Sequence, residues 1–292
     1  MQFNALPFKL GAHISWQKSF HQTLTFAINN SMECLQCFMG SPKSFKRSTI
    51  TSNDIFQTKK VLERYPCRIF THAPYLYNLA GSKNTLAWNG DTIQDRKTQN
   101  VLLSLEYELE CVANFNGGVI VHPGNHIDRI KGLHAIAQSI NKINFPKNSN
   151  LLLENSAGQG TSLATTLYEL EIIYNLINDD KKKNIGFCID TAHIFGYGDY
   201  DLTQSTEVER LFKEFHEKFT LNKLKLIHLN DSLVKLGSKK DRHALIGTGH
   251  IWGKSTASLA TLCALCTKFS VPLVLETDQS DMDNMIKIFN SL

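Results

Sequence analysis

Short apolar segments rich in β-branched residues recur along the whole chain, and longer segments with helical spacing separate them. A nearly continuous apolar run indicates a strand that is covered on both faces, as strands are in a parallel sheet. Eight such segments are present, at 8–13, 33–39, 67–72, 118–122, 150–155, 185–190, 224–229 and 271–276. The helical patterns between them are clearest at 100–115, 162–177, 207–219 and 256–269. The chain is therefore predicted to alternate strands and helices throughout.

Eight strand–helix units in 292 residues are typical of a (β/α)₈ barrel, and an open doubly wound parallel sheet is the alternative. No glycine-rich phosphate loop follows the first strand, because Gly11–Ser15 matches neither GxGxxG nor a Walker loop. There is no internal repeat or linker, so residues 1–292 are predicted to form one domain. The longest irregular connections, 75–96 and 233–252, are expected to be functional loops.

The composition indicates a soluble globular protein, with 42% hydrophobic and 20% charged residues. A net charge of +4 is too small to indicate a nucleic-acid partner by itself. No apolar run approaches the roughly eighteen residues of a membrane helix, and the N-terminus lacks the basic and apolar regions of a signal peptide. We therefore expect no membrane association and an intracellular location, in cytoplasm, nucleoid or nucleus, or in a virion if the source is viral.

The seven cysteines are an odd number, which suits a reducing compartment better than a disulfide framework. Two pairs have CxxC spacing, Cys34/Cys37 and Cys263/Cys266, but they lie too far apart in sequence for a simple zinc knuckle. An offset of three within a strand should point Cys34 and Cys37 to opposite faces. The second pair lies in a helical pattern and is interpreted as core packing.

Potential metal ligands stand at the ends of seven of the eight predicted strands. They are His13, His72, His122, Glu154, Asp190, His228 and Glu276. A single histidine at such a position is usually a hydrogen-bonded structural residue, but in a barrel all seven ends gather at one face, where barrel enzymes have their active sites. Burying several imidazoles and carboxylates together is costly unless they are paired or metal-bound. The pattern therefore predicts a metal centre.

Two short motifs add further ligands to this set. Asp190 and His193 are three residues apart at a strand-to-helix junction, and Asp241 and His243 are two apart in the loop after the seventh strand. Zinc takes about four nitrogen and oxygen ligands, so the donors exceed what one ion can use. They indicate two or three ions, and the mixture of imidazole and carboxylate favours zinc or manganese over magnesium or calcium.

Three longer motifs resemble those of endonuclease IV, the zinc-dependent family of apurinic/apyrimidinic endonucleases. They are His72–Ala80, Gly186–His193, and Ile227–Ser232 with its continuation through Gly237 to Asp241–His243. Shorter matches occur at Gly11–Ser15, His122–Gly124 and Glu154–Gly160. The resemblance covers residues 10 to 276, nearly the whole chain. It implies a xylose-isomerase-like TIM barrel with its active site at the C-terminal face of the strands.

The resemblance also implies three zinc ions per chain, with manganese as the alternative at one site. Their ligands would be His72, His122 and Glu154 for the first ion, Glu154, Asp190, His228 and Glu276 for the second, and His193, Asp241 and His243 for the third. Glu154 and Glu276 would be the catalytic carboxylates. Glu154 would join two ions, and Glu276 would orient the attacking water or accept its proton. His13 is not a ligand in the family and would have a supporting role.

As its substrate, the resemblance implies duplex DNA containing abasic sites, cut by a monomer. Hydrolysis 5′ of the site would leave a 3′-hydroxyl and a 5′-deoxyribose phosphate, and 3′-blocking groups would also be removed. Tyr75 and Leu76 would enter the minor groove, unless they are buried loop anchors, and Lys43 and Arg242 would also contact DNA. Cations in loops at the same face are candidates for phosphate contacts: Lys43, Lys46, Arg47, Lys239, Lys240 and Arg242.

Three departures from the family pattern fall outside the ligands: Tyr77, Ala192 and Leu233. Two other functions are alternatives. A metal-dependent sugar isomerase or epimerase of the related barrels would use Glu154, Asp190, His228 and Glu276 around one ion, and would leave the remaining ligands unexplained. A non-catalytic DNA-binding barrel with structural zinc is the second alternative.

Overall fold

The computed structural model describes residues 6–115, 117–253, 256–277 and 280–290. Within these ranges, eight parallel strands close into a barrel. They are β1 (Leu10–His13), β2 (Cys34–Cys37), β3 (Arg68–His72), β6 (Gly118–Val121), β7 (Leu151–Glu154), β8 (Ile185–Asp190), β9 (Leu224–His228) and β12 (Leu273–Leu275). The order around the barrel is β1-β12-β9-β8-β7-β6-β3-β2. Because β1 pairs with both β2 and β12, the (β/α)₈ prediction is confirmed and the open-sheet alternative is wrong.

Helices occupy the connections between the strands. The described ones are α1 (Phe20–Asn29), α2 (Ser52–Arg64), α3 (Arg96–Val112), α4 (Arg129–Lys142), α5 (Leu167–Leu176), α6 (Asp179–Lys182), α7 (Thr191–Tyr197), α8 (Ser205–Phe219), α9 (Thr256–Phe269) and α10 (Ser280–Asn290), with a 3₁₀ turn at Leu221–Lys223. The helix predicted at 162–177 begins later because the Thr166 side chain accepts from the Glu169 N–H and caps α5.

The two long connections predicted as irregular, 75–96 and 233–252, both contain short strands. In the first, β4 (Trp88–Asn89) pairs with β5 (Thr92–Ile93) in an antiparallel arrangement. The second contains β11 (His243–Ala244), which pairs antiparallel with β10 (Asp231–Ser232), two residues directly before that connection. The second pair brings the segment that carries His243 back onto the end of β9.

The apolar side chains form two layers, one inside the barrel and one between barrel and helices. Cys34 belongs to the inner cluster with Phe70 and Leu152, whereas Cys37 belongs to the outer one, as the offset of three predicts. All seven cysteines are buried and free, and Cys263 and Cys266 pack in the outer core. Among the helices of the described ranges, none is long and apolar enough to cross a membrane.

Candidate metal centre

The carboxyl ends of the barrel strands carry the ligand-type residues to one face. His72, Glu154, Asp190 and His228 are the last residues of β3, β7, β8 and β9. His122 and Glu276 follow β6 and β12 directly. The remaining residues come from the adjoining segments. Asp190 caps α7 by accepting from the His193 N–H, which turns His193 towards the centre, and β11 supplies His243.

Two connections at this face are locked together by an asparagine and a glycine. Asn78 Oδ1 accepts from the N–H groups of Ala80 (3.0 Å) and Asn125 (3.1 Å). Gly124 has φ of +139°, and a Cβ there would lie 2.0 Å from Asn78 Oδ1, so the close approach requires glycine. These bonds hold the connection after β3 against the one after β6, each of which begins next to a histidine of the centre.

Three groups of ligand-type atoms can be drawn at the centre, each with its atoms within 4.8 Å of one another. They are His72, His122 and Glu154; Glu154, Asp190, His228 and Glu276; and Asp190, His193 and His243. Glu154 belongs to the first two groups and Asp190 to the last two. The three groups are therefore one connected cluster in which two carboxylates are shared.

Glu154 lies at the middle of this cluster. Its carboxylate is 3.0 Å from His72 Nε2, 3.5 Å from His122 Nε2, 2.9 Å from His228 Nδ1 and 3.6 Å from His193 Nδ1. Burial opposes its ionisation, but His122 and His228 hold the pKa of Glu154 well below its ordinary value. The carboxylate is therefore ionised at neutral pH and suited to bind cations.

Asp241 lies between the two histidines of the third group. Its carboxylate is 3.2 Å from His193 Nε2 and 3.0 Å from His243 Nε2, and Asp190 Oδ2 is 3.6 Å from His243 Nε2. Burial works against protonation of His193, but Asp190 and Asp241 raise its pKa to about 10. The group thus offers two imidazoles and two carboxylates, and the acidic side chains give it a strong preference for positive charge.

The histidine orientations fit metal binding. A metal-binding histidine usually donates a hydrogen bond from its other ring nitrogen to a backbone carbonyl or a carboxylate. His72 Nδ1 lies 2.7 Å from Ala73 O, and His193 Nδ1 lies 3.0 Å from Asn155 O, so each leaves Nε2 facing the centre. The buried Nε2 atoms of His193 and His243 have no hydrogen bond of regular geometry among the described residues. This donor set suits zinc or manganese.

Two amide side chains that hold residues of the centre were not predicted from the sequence. Gln36 lies on β2. Its Oε1 atom is 2.6 Å from His228 Nε2, and the Nε2 atom of Gln36 donates to Glu276 Oε1 at 2.7 Å. Asn230 donates to Asp190 Oδ2 at 2.7 Å and to Glu276 Oε2 at 3.0 Å. Both oxygens of Glu276 are thereby held in place. The one signal for Gln36 was an amide inside an otherwise apolar strand.

His13 lies outside the three groups. Its Nδ1 is 2.9 Å from Gln36 Nε2, and burial lowers the pKa of His13 to about 4, so the neutral ring accepts this hydrogen bond. Because Gln36 contacts Glu276 and His228, His13 supports the centre through an intermediate residue.

The residues that the sequence predicts to contact DNA lie at the rim of the centre. Tyr75 is 63% exposed and Leu76 is 46% exposed, so the alternative that they are buried loop anchors is wrong. Lys43 and Arg242 are also exposed. A cavity of about 400 Å³ is lined by Tyr75, His122, His193, Asp241 and Arg242 among others. The rim and the cluster thus form one open cleft.

Arg47 corrects the sequence-based set of phosphate-contact candidates. The sequence places it in a loop at this face as a candidate for phosphate contact, but its side chain is buried and lies 3.7 Å from the Glu108 carboxylate. A buried guanidinium with a carboxylate partner is not available to a phosphate. Lys46, Lys239 and Lys240 remain exposed.

A (β/α)₈ barrel with linked histidine and carboxylate groups at its C-terminal face defines a metal-dependent barrel enzyme. The chain matches the family model described as xylose isomerase-like TIM barrel over residues 27–262. The probable endonuclease 4 of Halothermothrix orenii is 32% identical, over 97% of this chain and 99% of that protein. The chain belongs to the endonuclease IV family of hydrolytic, metal-dependent nucleases.

Two solved structures are similar in fold. Endonuclease IV from Thermus thermophilus matches with a TM-score of 0.79 and 22% identity, covering 97% of this chain and 98% of that one. A D-tagatose 3-epimerase-like protein matches with a TM-score of 0.64 and 15% identity, covering 97% and 96%. At these identities the likeness concerns the barrel alone.

Proposed function

We propose that this protein is an abasic-site endonuclease of base-excision repair, acting as a monomer on duplex DNA. It would hydrolyse the phosphodiester bond 5′ of the abasic site, leaving a 3′-hydroxyl and a 5′-deoxyribose phosphate, and remove 3′-blocking groups. The observation that carries this proposal is the connected cluster in which Glu154 and Asp190 are each shared between two ligand groups. Such sharing suits a centre of several ions acting on one phosphate.

The proposed cofactor is zinc, three ions per chain, with manganese as the alternative at one site. His72, His122 and Glu154 would bind the first ion, and Glu154, Asp190, His228 and Glu276 the second. His193 and His243 would bind the third, together with Asp241, which lies within 3.2 Å of both rings. When bound, the ions would neutralise charge on the phosphate and lower the pKa of water towards about 7.

Glu276 is the residue we assign to handling the attacking water. Its carboxylate is held by Gln36 on one oxygen and by Asn230 on the other, and its Oε2 is 3.2 Å from His228 Nδ1. The side chain is 15% exposed, so solvent reaches it while its orientation stays fixed. A fixed, ionised carboxylate can align a water molecule and accept its proton.

Tyr75 and Leu76 are assigned to recognition of the missing base. An abasic site is easily bent and its sugar easily extruded because no base is stacked there. Exposed apolar side chains at the rim can fill the space that the base has left. The centroids of the Tyr75 and His72 rings are 6.0 Å apart, so Tyr75 lies next to the first ligand group. Lys43 and Arg242 would contact phosphates beside it.

The rival function is that of a metal-dependent sugar isomerase or epimerase with one ion. Its barrel is similar to this one, as the epimerase-like structure illustrates. That function would use the second ligand group and would leave His72, His122, His193, Asp241 and His243 without a role. A non-catalytic DNA-binding barrel would have no need for the solvent-accessible Glu276.

The test is incision of a duplex oligonucleotide that carries one tetrahydrofuran residue, an abasic analogue that cannot undergo β-elimination. Zinc-loaded protein is expected to cut on the 5′ side and to leave a 3′-hydroxyl that a polymerase extends. An undamaged duplex of the same sequence is the control. Absence of cutting, together with isomerase activity on a sugar, would establish the rival function.

A further inference from the structure

The loop after β2, residues 40–50, carries Lys43 at its exposed side and is termed the recognition loop below. Its inner side rests on one face of α3. Ser104 Oγ donates to Phe45 O at 3.2 Å. The Tyr107 hydroxyl donates to Ser48 O at 3.0 Å and accepts from the Ile50 N–H at 3.0 Å. Helix α3 is therefore the platform on which this loop is built.

Arg47 organises the loop from inside. Its Nη2 donates to Ser41 O at 2.8 Å and also to Ser44 O, so one guanidinium closes the turn around Lys43. Its Nη1 lies 3.7 Å from Glu108 Oε1, and the two side chains are 3% and 0% exposed. A guanidinium so far from water needs polar partners for its N–H groups, and Glu108 places a carboxyl group beside it.

Tyr77, one of the departures from the family pattern, completes this buried group. Its ring stacks on Phe45 with centroids 5.7 Å apart and planes inclined by 13°. Burial raises the pKa of Glu108 to about 7, while Arg47 and the hydroxyls of Thr71 and Tyr77 act in the opposite direction. In the described part of the chain, both Glu108 oxygens and both hydroxyls lack a hydrogen bond of regular geometry. One buried polar pocket thus joins the recognition loop, β3 and α3.

We propose that Arg47, Tyr77 and Glu108 form a buried brace that positions the recognition loop for abasic DNA, and that Arg47 and Glu108 are positioning residues for this reaction. The proposal rests on the proposed function and deepens it. Lys43 lies four residues before Arg47, and Tyr75 lies two before Tyr77. The Tyr75 N–H donates to Pro42 O at 3.1 Å, which joins the two DNA-facing segments directly.

A structural role alone does not account for a charged pair in this place. Replacing a buried ion pair with uncharged side chains is often neutral or stabilising, so such a pair is weak evidence for stability. What an apolar side chain cannot supply is the pair of hydrogen bonds that Arg47 Nη2 donates to Ser41 O and Ser44 O. The brace therefore acts on loop geometry, and substrate affinity is the quantity it should control.

The test uses the double variant Arg47→Met/Glu108→Gln, which removes both charges and avoids leaving one buried alone. The matched control is Arg129→Met/Glu169→Gln, which removes an ion pair between α4 and α5, where Arg129 Nε lies 2.8 Å from Glu169 Oε1. KM and kcat on tetrahydrofuran duplex, zinc content and Tm are measured for both. We expect the brace variant to raise KM about tenfold with kcat and zinc content unchanged within twofold, and the control to leave KM unchanged.

Trypsin cleavage after Lys43 and Lys46 in the native protein gives a readout that does not depend on activity. The brace variant should be cut at least fivefold faster than wild type. Unchanged KM overturns the proposal, whether or not cleavage accelerates, and so does a loss confined to Tm. If wild-type protein fails to incise the duplex, the proposed function fails, whereas the trypsin rates still report on the brace. Should the double variant not fold, Tyr77→Phe should raise KM about threefold, and an unchanged KM there overturns the proposal equally.

Discussion

Asp231→Asn should destabilise the protein strongly, although it changes one atom of a side chain outside the ligand set. The fully buried Asp231 carboxylate accepts five backbone N–H groups. Oδ1 accepts from the N–H groups of Ser232 (2.8 Å), Ile251 (2.9 Å) and Trp252 (3.2 Å). Oδ2 accepts from the N–H groups of Gly247 (3.1 Å) and Gly249 (2.9 Å). This one residue therefore fixes the segment that follows β11.

The magnitude follows from the number of acceptors. An amide has one carbonyl oxygen, so at best it keeps the three donors at Oδ1 and turns its NH₂ towards the other two. Hydrogen bonds to a charged group contribute about 1.5–3 kcal/mol each, and an unsatisfied buried donor is costly. Two lost bonds predict a decrease of about 4 kcal/mol in the free energy of unfolding. Because the affected segment follows His243, metal at the third group should also bind less tightly.

The assay is urea denaturation of metal-loaded protein, with the exposed Asp180→Asn as the control. Asp180 lies on α6 at the surface, and its substitution should change the free energy of unfolding by less than about 0.5 kcal/mol. A decrease below about 1 kcal/mol for Asp231→Asn would refute the reasoning, since it would mean that the five amides find other partners.

Three further predictions concern catalysis, recognition and pH. Glu276→Gln should keep affinity for abasic duplex but slow single-turnover incision at least about 100-fold, and near-normal turnover would remove Glu276 from the mechanism. Tyr75→Ala should lower the ratio of affinities for abasic and undamaged duplex about tenfold, whereas an equal loss on both would contradict its role at the missing base. Burial raises the pKa of Glu108 from 4.5 to about 7 in the folded state. The folded state therefore binds this proton more tightly, and stability falls as pH rises from about 4.5 to about 7. Relative to wild type, Glu108→Gln should gain up to about 3 kcal/mol across this window in urea denaturation at each pH, and a constant difference would contradict the shift.

The barrel and the grouping of histidines and carboxylates at one of its faces were predictable because they follow from local patterns. Continuous apolar runs mark strands that are buried on both faces, and the ends of parallel strands in a barrel meet at one face. A histidine or carboxylate at each strand end is therefore placed near the others without knowledge of any contact. The proximity of Asp190 and His193 could also be predicted, because a capping residue and the third residue of its helix lie on the same side.

The supporting contacts were not predictable because they join residues far apart in sequence. Gln36 bonds to His228 and Glu276 across the barrel, and the one local signal, an amide in an otherwise apolar strand, does not identify these partners. Arg47 lies in a basic loop, where the ordinary expectation is exposure, and its burial depends on a glutamate on a distant helix. Exposure of Tyr75 likewise depends on how its loop packs. Contacts between residues far apart in sequence, and the exposure of loop residues, thus require the structure.

The most direct test of the central claim, a connected three-ion centre, is metal stoichiometry by inductively coupled plasma mass spectrometry on protein saturated with zinc and desalted. We expect about three zinc ions per chain for wild type. For His243→Ala, which removes a proposed ligand of the third group alone, we expect about two, with the fold retained by circular dichroism. One ion per chain in both proteins would contradict the account and would favour the sugar isomerase.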